Sequence, residues 1–304
     1  MRNKHLCLVL TLCALLCVSL LALGTAALEA DESGVVHLRT ADDVLQLMNN
    51  ATLWDKDIVL ENDIDLSTYS GKLSQQPIGN QLPDFKKAFT GTLIGKLKEN
   101  NTNPEISGLN IVTTAVTNRW ALIGWANNGT ETDPVVVKNI TVRGTVSTAG
   151  GSAAGLVGYV ENGYATIENC VNYCSVTATH QTYSRAGGIL GVSTNSDVTV
   201  TNCKNYGKVS GYTNIAGIVG RLEVSSGTHT YTVTNCYNEG EIEGLKANSG
   251  FAGIVGSPVL SGGTGTINIE GCYNKGYIHG PGYIAGIAGA PTSQSDGGTL
   301  IITD

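Results

Sequence analysis

Beyond residue 100 the apolar positions come in short alternating bursts separated by Gly and Asn, and none of them carries a helical period. In "VTVTNC" (198–203), Val198, Val200 and Cys203 are apolar among the polar Thr199, Thr201 and Asn202. Bursts of this kind predict strands of a few residues joined by tight turns. Residues three apart on a strand point to opposite faces, so bringing Cys203 onto the inward face of Val200 requires a shift of phase at the turn. The exception is "LRTADDVLQLMNN" (38–50), with Thr40 as N-cap, Asp43 three residues on, and Val44, Leu45, Leu47 and Met48 following. It predicts a short amphipathic helix. "DIVLENDIDLS" (57–67) then predicts the first strand, so that residues 28–67 form an N-terminal cap shielding an open edge.

The bursts repeat. "GLVG" at 155–158 returns as "GILG" at 188, "GIVG" at 217 and 253, and "GIAG" at 286, at spacings of 33, 29, 36 and 33 residues. Between them recur "IENCVNYCSV", "VTNCKNYGKV", "VTNCYNEGEI" and "IEGCYNKGYI", with a weaker copy at 137–146 and another at 106–112. Periods of this size mark solenoids, propellers or arrays. A unit of 29 residues is too short for a four-stranded propeller blade and suits three short strands per coil. The fold expected over 68–304 is an all-β, right-handed parallel β-helix with a short N-terminal capping helix. "GTLIITD" (298–304) matches "GTINIEG" (265–271), so the chain stops just short of another cysteine, as a fragment of a longer protein would.

Stacked coils place equivalent residues over one another. Asn172, Asn205, Asn238 and Asn274 are expected to form an internal amide ladder. Gly207, Gly240 and Gly276 are expected to supply positive φ at the next corner, and the "GIVG" glycines tight bends. Cys170, Cys203, Cys236 and Cys272 form a parallel row of small buried fillers, since stacked strands set β-carbons wider apart than the roughly 3.8 Å of a disulfide. Cys174 replaces the corner glycine and is expected to be partly exposed and the most reactive of the five.

Residues 1–27 stand apart: Arg2 and Lys4, an apolar run from Leu6 to Leu23, then "LGTAALEA". That order predicts a secretory signal peptide cut after Ala26 or Ala27, with an uncleaved membrane anchor as the alternative. Without Arg2 and Lys4 the net charge falls from −7 to −9. An acidic chain with no basic cluster argues against nucleic acid and anionic membrane surfaces.

No H-E-x-x-H, nucleophile elbow, phosphate loop or calcium nonapeptide occurs, and no cofactor is expected. Glu241 and Glu243 flank the inward Ile242 at a separation within reach of a glycosidase acid pair, but an ion pair with Lys208 accounts for them equally. Tyr173, Tyr206, Tyr237, Tyr273, Tyr277 and Tyr283 recur at turns and outward positions, where ring faces and hydroxyls suit a glycan or a partner protein. The unequal segments Arg221–Thr230 and Ser257–Gly265 are further candidates, as insertions on one side of a solenoid often mark a binding face.

The "AG[LI]xG" and "NCxNxG" patterns, with "LENDIDLS", "FTGTLIG", "ISGLNI" and "ALIG" upstream, resemble GLUG-motif repeats of bacterial secreted and cell-surface proteins over most of residues 35–304. The resemblance implies an extracellular β-helix, frequently beside adhesin or peptidase domains, IgA-cleaving metallopeptidases included, and no defined catalytic residues. Three readings follow: a non-enzymatic secreted or surface module binding a glycan or protein, a passive spacer of a longer surface protein, or a polysaccharide-cleaving enzyme.

Overall fold

A computed structural model describes residues 26–80, 86–115, 119–290, 292–293 and 297–304; the segment expected to be a signal peptide, apart from its last two residues, lies outside them. Its strands stack into a β-solenoid of about seven turns. All pairings between its strands are parallel, in three sheets that wrap one interior. A long-strand face carries Val157–Glu168 and Leu190–Thr201. An asparagine face carries Val171–Asn172, Lys204–Asn205, Tyr237–Asn238 and Tyr273–Asn274. A narrow glycine face runs from Arg119–Trp120 to Tyr283–Ala285. Among the described residues no helix is long and apolar enough to cross a membrane.

The sequence alignment is the physical register. Asn172 pairs with Asn205, Asn205 with Asn238 and Asn238 with Asn274. Gly298 pairs with Gly265 and Thr299 with Thr266. Leu122, Leu156, Ile189, Ile218 and Ile254, the apolar residue of each "GIVG"-type unit, are fully buried in the interior. Each contributes about 1.5–3 kcal/mol of burial, which makes this column the main apolar spine of the rod.

Helix α1 (Ala41–Asn49) forms as its capping box predicts: Thr40 Oγ1 accepts from Asp43 N, and Asp43 Oδ2 accepts from Thr40 N. Val44, Leu45, Leu47 and Met48 are buried and extend the core beyond its first coil. The first strand, however, is Val35–Leu38, ahead of the helix, and it pairs in register with Asp57–Leu60. The segment 57–67 divides instead. Ile64–Asp65 turns onto the asparagine face and pairs with Ile106 and Ser107. The polar Glu61–Asp63 interrupts the alternation there, and the chain takes its corner.

The phase shift before each cysteine comes from asparagine, and the positive φ expected of the glycines at the following corner is not found there. Asn169, Asn202 and Asn235 have φ of 52°, 54° and 51°, and Gly271 fills the same place with 57°. Gly207, Gly240 and Gly276 are not among the positive-φ residues. Asparagine tolerates the left-handed region best of the residues with a β-carbon, and one such residue turns the following side chain inward. Asn202→Ala is expected to cost about 1–2 kcal/mol, and Asn202→Gly close to nothing, in urea unfolding. Equal losses for the two variants would assign the cost to a side-chain contact instead.

The repeated glycines are sites of close approach. A β-carbon on Gly207 would strike the Cys174 carbonyl, one on Gly240 the Gly207 carbonyl, and one on Gly276 the Gly240 carbonyl. The first glycines of the "GIVG" units, Gly155, Gly188, Gly217 and Gly253, lie against the amides of Asn172, Asn205, Asn238 and Asn274. The two repeated patterns are therefore halves of one packing arrangement: the amide needs the absent side chain opposite it.

Candidate functional site: the tyrosine ribbon and its groove

The asparagine side chains point inward, so the residues on either side of each point out. One outward file is Val171, Lys204, Tyr237, Tyr273. Tyr173 and Tyr206 lie on the other side of the asparagines, in the coils beneath Glu239 and Lys275. The four tyrosines join across this divide. Tyr173 and Tyr206 stack with centroids 4.9 Å apart, Tyr206 meets Tyr237 edge-on at 5.7 Å, and Tyr237 stacks on Tyr273 at 5.0 Å. These separations follow the coil repeat of roughly 4.8 Å, which sets one ring per coil. The Tyr206 and Tyr237 hydroxyls are hydrogen-bonded to one another. Burial and that bond push the Tyr206 phenol up to about 12.

Cations flank the ribbon. The Arg143 guanidinium lies 4.2 Å from the Tyr173 centroid, and the ammonium groups of Lys204 and Lys275 lie 5.2 and 5.3 Å from those of Tyr237 and Tyr273. Such contacts hold a cation at a ring face; Lys275 is also paired with Glu239 at 3.7 Å. Arg143 is oriented from behind by Glu105, Nε to Oε1 at 3.0 Å and Nη2 to Oε2 at 3.3 Å. At this end the ribbon opens into a groove of about 590 Å³, walled by Asp63, Lys98, Asn103, Arg143, Tyr173 and Lys204 among others. Lys98 donates to Asp63 at 2.7 Å. Burial opposes ionisation of Asp63, but Lys98 and the Glu105 amide hold its carboxyl below the usual range. Groove and ribbon make one continuous polar and aromatic track.

Stacking changes what the rings offer. Faces turned along the rod axis are used by the neighbouring ring or a cation, so the track presents ring edges and hydroxyls rather than the open faces expected from sequence. Tyr277 and Tyr283 do not join it. Tyr277 is 71% exposed and stacks on His279 at 5.1 Å, on the same face but apart from the ribbon. Tyr283 sits on the glycine face in the last coil, exposed beside Ile284. The unequal segments 221–230 and 257–265 are mostly strand, overlapping Val219–Val224, Thr228–Thr234, Val255–Leu260 and Thr264–Glu270.

The acid pair is an ion cluster. One Lys208 Nζ reaches Glu241 at 3.1 Å and Glu243 at 2.8 Å, and His279 Nε2 lies 2.8 Å from Glu241. The contacts with His279 and Lys208 hold the Glu241 carboxyl below its usual range. A carboxyl kept ionised is unsuited to protonating a leaving group.

The asparagine ladder beneath the track is continuous. Asn172 Nδ2 donates to Asn205 Oδ1, Asn205 Nδ2 to Asn238 Oδ1 and Asn238 Nδ2 to Asn274 Oδ1, each at 2.7 Å. Cys170, Cys203 and Cys236 lie behind it, fully buried as free thiols, with the Cys203 amide 3.4 Å from the Cys236 sulfur. Cys174 is fully buried as well, and burial pushes its thiol up to about 12, so it is neither exposed nor activated as expected. It stands opposite Gly144 of the coil below, where the matching turn has a φ of 147°. Cys272, in the last complete coil, is the one cysteine of the five with residual exposure.

No family model matches the sequence, and no curated protein matches it. Among solved structures, a proposed immunoglobulin A1 protease from Bacteroides ovatus superposes with a TM-score of 0.52 at 16% identity, over 90% of this chain and 85% of that one. At that identity the likeness shows a shared fold, and the chain is identified here as a parallel β-solenoid.

Proposed function

We propose that this protein is a secreted or cell-surface solenoid that binds an extended, hydroxyl-rich polymer, a glycan, along the asparagine face. The observation that carries the reading is the track itself: four tyrosines at coil spacing with three cations on their faces, running into a polar groove. A polymer whose units repeat along its length meets equivalent donors and acceptors on successive coils, so weak contacts add by avidity. The signal-like leader and the resemblance to GLUG-type repeats support an extracellular setting. Ligand recognition by phenol edges and hydroxyls, rather than ring faces, suits the sides of a sugar chain lying across the ribbon.

The test is binding to an immobilised panel of mucin, peptidoglycan and neutral glucans. Tyr206→Ser/Tyr237→Ser is expected to weaken binding at least tenfold with an unchanged melting temperature, while Tyr277→Ser and Tyr283→Ser bind as wild type. Equal binding by the ribbon variant would remove the ribbon from recognition. Failure of the wild-type protein to bind any panel member would favour the spacer reading.

A further inference from the structure

On the side of the rod where the glycine face turns into the long-strand face, three arginines from different coils converge. Arg119 and Arg185 are both register partners of Ser152, which lies in the coil between them and leaves only a small side chain there. Arg221 follows Tyr159 and Val192 in the neighbouring file. The Arg119 guanidinium covers the Tyr159 ring at 4.2 Å. Arg221 is engaged by Glu223, with Nε to Oε2 at 3.0 Å and Nη2 to Oε1 at 2.9 Å.

Arg185 differs from both. Its Nε–H is buried and has no hydrogen-bond acceptor, and its guanidinium makes no ion pair among the described residues. Burial, and the charges of Arg221 and Arg119, act to lower its basicity, and Glu223 only partly offsets them. The Trp125 indole N–H, two coils from Arg185 in the Tyr159 file, is likewise buried without an acceptor. Arg185 as a whole is half-buried, but its Nε–H is shut away from solvent, and a buried donor left unpaired calls for a partner such as a bound ion. The charged and aromatic groups around it are Arg119, Arg221, Glu161, Glu223, Tyr159 and Trp125, so that with Arg185 itself three arginines face two glutamates in an acidic protein.

We propose that this corner binds a single oxyanion, a sulfate or carboxylate group, with Arg185 as its principal donor and Arg119 and Arg221 supplying the surrounding field. A guanidinium fork matches two oxygens of such a group, which an ammonium does not. The site lies away from the tyrosine track and stands independently of the function proposed for it.

The experiment follows the melting temperature of the whole protein against sodium sulfate, sodium acetate, a chondroitin sulfate hexasaccharide and a neutral hexasaccharide, at constant ionic strength. Wild type is expected to show a saturable upward shift with at least one of the three anions and none with the neutral sugar. Arg185→Met should abolish the saturable part, and without added anion it should melt no lower than wild type, because a buried N–H without an acceptor has been removed. If the chondroitin sulfate hexasaccharide acts at a tenfold lower concentration than inorganic sulfate, the group is one borne on a chain; equal potency assigns the site to a free ion. No saturable shift in wild type overturns the proposal, as does an undiminished shift in Arg185→Met. Should Arg185→Met fail to fold, Arg221→Gln provides the second reading, with at least a threefold weaker midpoint expected and no change overturning it.

Discussion

Asn205→Ala is expected to lower stability by about 3–5 kcal/mol, far more than most surface substitutions, because the amide serves three buried partners at once. Asn205 accepts from Asn172 Nδ2 at 2.7 Å, donates to Asn238 Oδ1 at 2.7 Å and donates to the Gly207 carbonyl at 2.9 Å. Removing it leaves two buried acceptors and one donor short of a partner, each costing about 1–3 kcal/mol when orphaned, and opens a void against Gly188. Asn205→Asp keeps the shape but sets a carboxylate against two acceptor oxygens. Burial and those oxygens raise its folded pKa above the unfolded value of about 3.9, so the protonated form is favoured on folding. Its deficit relative to wild type should therefore shrink as pH falls from 7 toward 4. Urea unfolding at both pH values checks this; a loss under 1 kcal/mol for Asn205→Ala would show that the ladder is not what holds the coils together.

Gly240→Ala separates two explanations of the repeated glycine by the sign of its effect. If the glycine supplied only backbone freedom at an ordinary φ, alanine would stabilise by about 0.4–1 kcal/mol through the unfolded chain. The structure instead places the Gly207 carbonyl and Asn205 Nδ2 where the new methyl would go. Displacing them lengthens the ladder bond and pushes the coil spacing outward, so a loss of about 1–3 kcal/mol is expected. Gly207→Ala should behave alike, because its β-carbon would meet the Cys174 carbonyl and the Asn172 amide. A stabilised Gly240→Ala variant in thermal melting would return the position to the conformational explanation.

Other features tolerate change for identifiable reasons. The surface ion cluster of Lys208, Glu241, Glu243 and His279 is well exposed, and exposed pairs contribute at most about 1 kcal/mol. Changing any one of these residues is therefore expected to leave the rod standing.

What the letters alone settled is the stacking: a spacing near 33 residues, the partners Asn172, Asn205, Asn238 and Asn274, and the apolar spine from Leu122 to Ile254. The physical reason is that parallel coils bring like positions into contact, so a pairing between coils is written as a repetition along the chain. The capping box of α1 was equally legible because it is local, spanning Thr40 to Asp43. One further signal was present and easily passed over: Gly271 replaces the asparagine before the cysteine, the mark of a left-handed position. The tertiary structure decided what repetition does not encode. Glycines that look like turns proved to be contact points, since only the opposing sheet shows what lies within reach of an absent side chain. Cys174, at a position held by glycine in the other coils, is buried rather than exposed. The ribbon crosses between two outward files at Tyr206 and Tyr237, a choice of side-chain direction that equal spacing cannot specify. The corner of Arg119, Arg185 and Arg221 gathers residues with no shared motif, brought together only because the chain passes the same edge once in every turn.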